Sequence, residues 1–401
     1  MTTPSSPILK ISEPGLREPS GVALLRLGFR PFYLCAAAFA ALSIPIWVLV
    51  FLGLWPWTFS TPPLLWHAHE MLYGFATAVI IGFLLTASKA WTGLATPRGP
   101  QLGALVLLWL LARVGAWTAP YPIYALLDTL LLPTIAAILF RLLLRAGNTR
   151  NLPLIGMLAL LALTNAVFHL SMMGVLHWPA ATALHGALAL IVMIEVVMAG
   201  RVIPSFTMSA NPGLQVVPIP WLEQTALGFT AVGLALWVFA PTGWVDAAIL
   251  FAAMGLHLFR LGRWRPLLTR QRPMLWILHA AYAWIPVGLG LMAAAQLGLI
   301  PISAGVHALA VGATGGLIIG MMTRTARGHT GRSLKASKAE VGAYSLVLSA
   351  AALRVLLPLL SADFLGVALI SAAVAWSAAF LIYLVLYTPW LMRTRIDGRD
   401  G

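Results

Sequence analysis

The chain has 401 residues, of which 60% are hydrophobic and only 9% charged, and its mean hydropathy is +0.91. A surface so poor in charge does not dissolve in water, which excludes a soluble globular domain and makes the chain an integral membrane protein. The lone cysteine, Cys35, excludes an internal disulfide, and the formal net charge of +14 has a topological pattern that points to anionic lipid and away from nucleic acid.

In chain order, residues 1–25 are polar and rich in proline with no apolar leader core, and read as a cytoplasmic tail. Twelve apolar runs of roughly twenty residues come next, each long enough to cross a bilayer as a helix. They cover 32–54, 66–88, 101–118, 121–144, 152–174, 181–203, 222–239, 243–262, 274–296, 302–323, 340–360 and 364–388. The expected fold is an all-α integral membrane protein of twelve transmembrane helices, one domain over 26–392, closed by a short cytoplasmic tail, 393–401.

Lys and Arg are confined to one side of that plan. They occupy the N-terminal tail and the regions after even-numbered spans: Lys89 and Arg98, Arg141 to Arg150, Arg201, Arg260 to Arg272, Arg324 to Lys338, and Arg393 to Arg399. No loop after an odd-numbered span carries one, and Arg113 and Arg354 lie within spans. Excess positive charge marks the cytoplasmic side, so both termini are expected there.

Topology then gives each polar residue a depth. Span 2 opens with WHAHEMLYGF (66–75), placing His67 and His69 in its first turn at the outer face, about 200° apart around the helix. His69 shares a face with Tyr73, and His67 with Glu70. Arg113 of span 3 and Asp128 of span 4 lie in the outer half. They either pair across the loop of Pro120 and Pro122, or Arg113 is left for a cofactor carboxylate.

His169 stands a turn before the outer end of span 5, followed by Met172, Met173 and, in the loop, His177. His185 opens span 6, and Glu195 lies about 15 Å deeper, either a proton relay or a structural acid. His307 opens span 10, and Arg354 of span 11 is a second candidate for a cofactor carboxylate. Six histidines, from four spans and one loop, thus share one outer layer. Imidazoles from facing helices are how bundles hold metals or haem, while singly each reads as an interfacial side chain bonded to a carbonyl.

Spans 2 and 10 resemble one another. His69 is followed by Gly74 and by Ile80, Ile81 and Gly82; His307 is followed at the same offsets by Gly312 and by Ile318, Ile319 and Gly320. With His185 at an intermediate spacing, this suggests three pseudo-repeated four-helix units, against chance in Gly/Ile-rich membrane sequence. Gly312, Gly316 and Gly320 form a stripe suited to close helix packing or to a flat macrocycle. The segment 321–338, expected to leave span 10 as a loop, mixes arginines with glycines but lacks a nucleotide-binding pattern, and topology and lipid headgroups account for most of it.

Several stretches, FRPFYL (29–34), WHAHEMLYGF with its IIGFLLTA continuation, RVIPSFT (201–207) and HALAVGATGGLIIGMMTRTARGHTGR (307–332), resemble the signatures of the NnrS family. That resemblance implies a twelve-span bacterial inner-membrane protein containing haem b and copper and linked to nitric oxide metabolism and nitrosative-stress resistance. Because they open equivalent helices and share the repeat, His69 and His307 are expected to hold that haem, with Arg113 and Arg354 on its propionates. His185 and His169, together with His67 or His177, are expected to hold copper. Implied partners are membrane lipid, nitric oxide or a related small molecule, and an unidentified electron donor, with no nucleic acid. A haem/copper oxidoreductase acting on nitric oxide, a non-catalytic sensor and a twelve-span secondary transporter are the competing classes.

Overall fold

The computed structural model describes residues 22–56, 61–240 and 243–399, so the expected N-terminal tail lies, up to residue 21, outside the described residues. Twelve helices are long and apolar enough to span a bilayer, and no strand occurs among the described residues. They are α1 (Phe29–Phe51), α2 (Pro63–Thr92), α3 (Pro100–Thr118), α4 (Tyr121–Arg145), α5 (Thr149–Met172), α6 (Ala180–Ala210), α7 (Pro220–Phe239), α8 (Trp244–Arg263), α9 (Pro273–Gln296), α10 (Ile302–His329), α11 (Lys338–Leu360) and α12 (Ala362–Leu391). Proline opens α2, α3, α7 and α9, where its missing N–H is not needed and its fixed φ already suits a helix.

Several helices outrun the expected spans, furthest at the C-terminal ends of α6, which reaches Ala210, and α10, which reaches His329. The extension of α10 has a visible cause. Thr323 shares a hydrogen bond of 2.7 Å with the Tyr344 hydroxyl, and Arg327 donates to both carboxylate oxygens of Glu340 at 2.7 and 2.6 Å. Residues 324–329, expected in a loop, are therefore helical, and Arg327 is engaged by a protein carboxylate.

From α3 onward each helix packs against the next, α2 packs on α1 and α4, and α12 returns onto α1, which closes the chain into a ring. Arg30, fully buried, fastens the closure by donating from Nη1 to the carbonyls of Leu391 and Arg393 at 2.7 and 2.8 Å. Inside the ring α2 is the most enclosed helix, with 78% of its apolar stretch buried against 33% for the peripheral α7 and α8. The glycine stripe of α10 faces α9. Cβ atoms added at Gly312, Gly316 and Gly320 would come within 2.4 Å of Trp284, 2.6 Å of Ala281 and 2.8 Å of Leu278, so the stripe is a helix-packing seam.

The likeness of α2 and α10 extends to backbone geometry. Each contains a π-helical segment, Glu70–Ala76 and Ala308–Gly315, and each segment begins at the residue after a histidine, His69 or His307. A π turn widens the helix and changes the direction of side chains around it, and such turns are common at functional sites. Helix α6 is α-helical throughout, so this feature joins two helices and not three.

Candidate metal centre

At the end of the bundle opposite the termini, His67 and His69 belong to two separate polar groups. The first is built by α2 to α5. Tyr121, Tyr124 and Asp128 follow one another at i, i+3 and i+7 on one face of α4, and Asn165 and His169 at i, i+4 on α5. Arg113 comes from the last turns of α3, and Gly74 makes room for it: a Cβ there would stand 3.1 Å from both Arg113 Nη1 and Glu70 Oε2.

Within this group Arg113 forms ion pairs with both Glu70 and Asp128. His69 Nδ1 lies 3.1 Å from Glu70 Oε1, to which the Tyr124 hydroxyl also donates at 3.0 Å. His69 Nε2 lies 3.0 Å from Asn165 Oδ1 and 3.3 Å from Asp128 Oδ2. Asn165 Nδ2 donates to Asp128 Oδ2 at 2.7 Å, and His169 Nε2 meets the same oxygen at 3.1 Å. The Tyr121 hydroxyl holds His169 Nδ1 at 3.0 Å. His69, Glu70, Asp128, Asn165 and His169 are all buried.

Charge bookkeeping makes the group unusual. Two buried carboxylates face one guanidinium, which leaves a formal charge of −1 when both imidazoles are neutral. Buried charge of that kind calls for a compensating cation. His69, His169 and Asp128 each bring a ligand atom within 4.8 Å of the other two, and two imidazoles with a carboxylate form a donor set that transition metals take. Partners behind the ligands, Tyr121 on His169 and Glu70 with Tyr124 on His69, orient the rings as outer-shell groups do at metal sites.

The second group joins α1, α2, α10 and α11. The His67 ring stacks on Trp47, with centroids 4.0 Å apart and planes at 19°. Its Nδ1 is buried and makes no hydrogen bond among the described residues. His307 donates from Nδ1 to the Ser303 carbonyl at 2.7 Å, which leaves the ring's lone pair on Nε2 for a metal. Arg354 donates to Ser303 Oγ at 3.3 Å and lies within electrostatic reach of both His67 and His307. No carboxylate pairs with Arg354 among the described residues, so this group carries a formal charge of +1.

The expected site residues are thus regrouped. His69 stands with His169, and His67 with His307. Arg113 pairs with Asp128, one of the two expectations for it, and also with Glu70. Glu70, expected on one face with His67, meets His69 instead, at the point where the π segment starts. His185 lies tilted against Trp237 of α7, with centroids 4.5 Å apart, and His177 is exposed in the loop after α5, so both stand apart from the two groups. Tyr121, Tyr124 and Asn165 are participants that the histidine pattern does not reveal. Their helical spacing to Asp128 and His169 is the signal that does.

A family model described as NnrS protein matches residues 23–395, nearly the whole chain. No curated protein matches the sequence.

Proposed function

Because the chain belongs to the NnrS family, we propose that it is a haem- and copper-binding inner-membrane protein of nitric oxide metabolism or nitrosative-stress resistance. Family membership supports a nitric-oxide-related membrane protein. The assignment of haem and copper rests on one observation: two histidine groups at the same end of the bundle carry opposite formal charges.

Copper is a cation that favours imidazole, and it suits the negative group, with His69, His169 and Asp128 as ligands. Haem brings carboxylates, and it suits the positive group, with His67 and His307 as ring donors and Arg354 for a propionate. When bound, these metals supply the redox and nitric-oxide-binding chemistry. The protein's own part is to hold tautomers and charge: Ser303 fixes His307, Tyr121 fixes His169, and Arg113 keeps two carboxylates buried together. The distribution of Lys and Arg supports both termini in the cytoplasm and both groups near the outer face.

The test is an oxidised and dithionite-reduced optical spectrum of detergent-purified protein, with a pyridine haemochrome assay and metal analysis on the same sample. Near-stoichiometric b-type haem together with copper is the expected result, and nitric oxide titration with and without a reductant then follows its spectrum and consumption. Folded protein from haem- and copper-replete cells that contains neither metal overturns the reading.

A further inference from the structure

Ala76 lies seven residues beyond His69 on α2, and Thr314 lies seven beyond His307 on α10, each at the end of its π segment. From this level toward the termini the central helices part: the lower half of α2 packs on α1 and α4, and α6 turns to its own neighbours. The space left beside α10 is a cavity of about 100 Å³ that is not sealed, with Ala76 and Thr314 at its upper end. Below them its walls are apolar, with Ile80 and Phe83 from α2, Met198 and Val202 from α6, and Leu317 and Met321 from α10.

The polar side chains of the lining turn to protein partners: Glu195 to Thr314 near mid-depth, and Tyr33 to Thr325 toward the termini. The cavity therefore offers an occupant dispersion contact and asks of it neither charge nor hydrogen bond. Water is a poor occupant of the apolar middle, since a buried water needs about two to four polar partners. Size narrows the choice further. An engineered apolar cavity of about 150 Å³ stays dry and takes a benzene ring or xenon. At about 100 Å³ the space here suits something smaller than a ring.

We propose that this cavity holds a small uncharged molecule of dissolved gas, about 10 Å below the histidine layer, the rise of seven residues along α2 or α10. That the gas is nitric oxide rests on the functional reading above; that the cavity takes a gas does not. On that reading the two helices that carry His67, His69 and His307 at their outer ends also supply walls of the store beneath them. A molecule held there is concentrated beside both histidine groups, and its binding needs neither metal.

The experiment equilibrates crystals of the full chain with xenon under pressure and locates the atom by its anomalous scattering. Xenon among Ile80, Val202 and Leu317 is the expected result. Val202→Trp, which fills the cavity from its wall, removes it, and Ala199→Leu is the milder filling where the thermal midpoint shows that the tryptophan variant does not fold. A parent cavity without xenon, or one holding a lipid tail that xenon does not displace, overturns the proposal. In metal-loaded protein, association of nitric oxide after a laser flash is expected to slow both under xenon and in the filled variant. A rate indifferent to both, in a chain that binds xenon, overturns the assignment to nitric oxide. Xenon bound by a folded chain that takes up neither metal would instead fail the functional reading and leave the gas site standing.

Discussion

His67 and His69 stand two positions apart on α2 and face different partners: His67 lies on Trp47 of α1, and His69 lies between Asn165 and Glu70. Their separation of about 200° around the helix directs one ring toward α10 and α11 and the other toward α3 to α5. A single turn of α2 thereby serves both polar groups.

If those groups hold different metals, substitution separates them. His69→Ala and His169→Ala are expected to lower copper while most haem remains. His67→Ala and His307→Ala are expected to lower haem while most copper remains. Metal analysis and the haemochrome assay on each variant check this, and parallel loss of both metals in all four would mean that the grouping is wrong.

Arg113 is the only guanidinium paired with Glu70 and Asp128 among the described residues. Arg113→Leu leaves two buried carboxylates side by side and is expected to destabilise the protein by about 3–5 kcal/mol, the usual penalty for removing one partner of a buried pair. Unfolding in detergent, followed by intrinsic tryptophan fluorescence, measures it. A midpoint equal to that of the parent would show that the ion pairs do not hold the two acids in place.

The Arg327–Glu340 pair offers a cleaner dissection. Glu340 accepts from both Arg327 and Tyr387 and also completes a capping box with Ser337 at the start of α11. Glu340→Met alone strands Arg327 and loses the glutamate half of the capping box, while Ser337 Oγ still accepts the backbone N–H of residue 340. Replacing both residues by Met removes the stranded charge and is expected to recover all but about 1 kcal/mol, the value of the bond lost from the Ser337 N–H. A double variant no more stable than the single one contradicts this account.

Glycine substitution distinguishes a packing seam from an ordinary helix surface. Gly312→Ala drives a methyl group into Trp284 and is expected to cost about 1–3 kcal/mol. Gly228→Ala, on a face of α7 with nothing within 4 Å, is expected to stabilise by about 0.5–1 kcal/mol through helix propensity alone. Thermal midpoints of the two variants should move in opposite directions.

The spans are legible in the sequence because bilayer thickness imposes their length and charge interrupts them. The pairing of Arg113 with Asp128 is legible too, since both lie at one depth beside a short loop. Which histidines meet is not, because that depends on azimuth, and the π segments after His69 and His307 alter azimuth where the sequence shows only EMLYGFA and ALAVGATG. Tyr124 and Asn165 escape notice for a different reason: they are common residue types whose role emerges only beside Asp128 and His69. The setting of Glu195 depends on where three helices part, which no local pattern encodes.

The contact between α1 and α12 closes the ring, and the two carbonyls that Arg30 grips, on Leu391 and Arg393, are made 361 and 363 residues after it. Helices enter the membrane in the order of synthesis, so α1 is in place long before the helix that completes its packing exists. Every nascent chain is therefore an open arc. Its final shape is reached only when the twelfth span folds back on the first, and a chain cut short by that one helix remains an arc however well its other eleven helices pack.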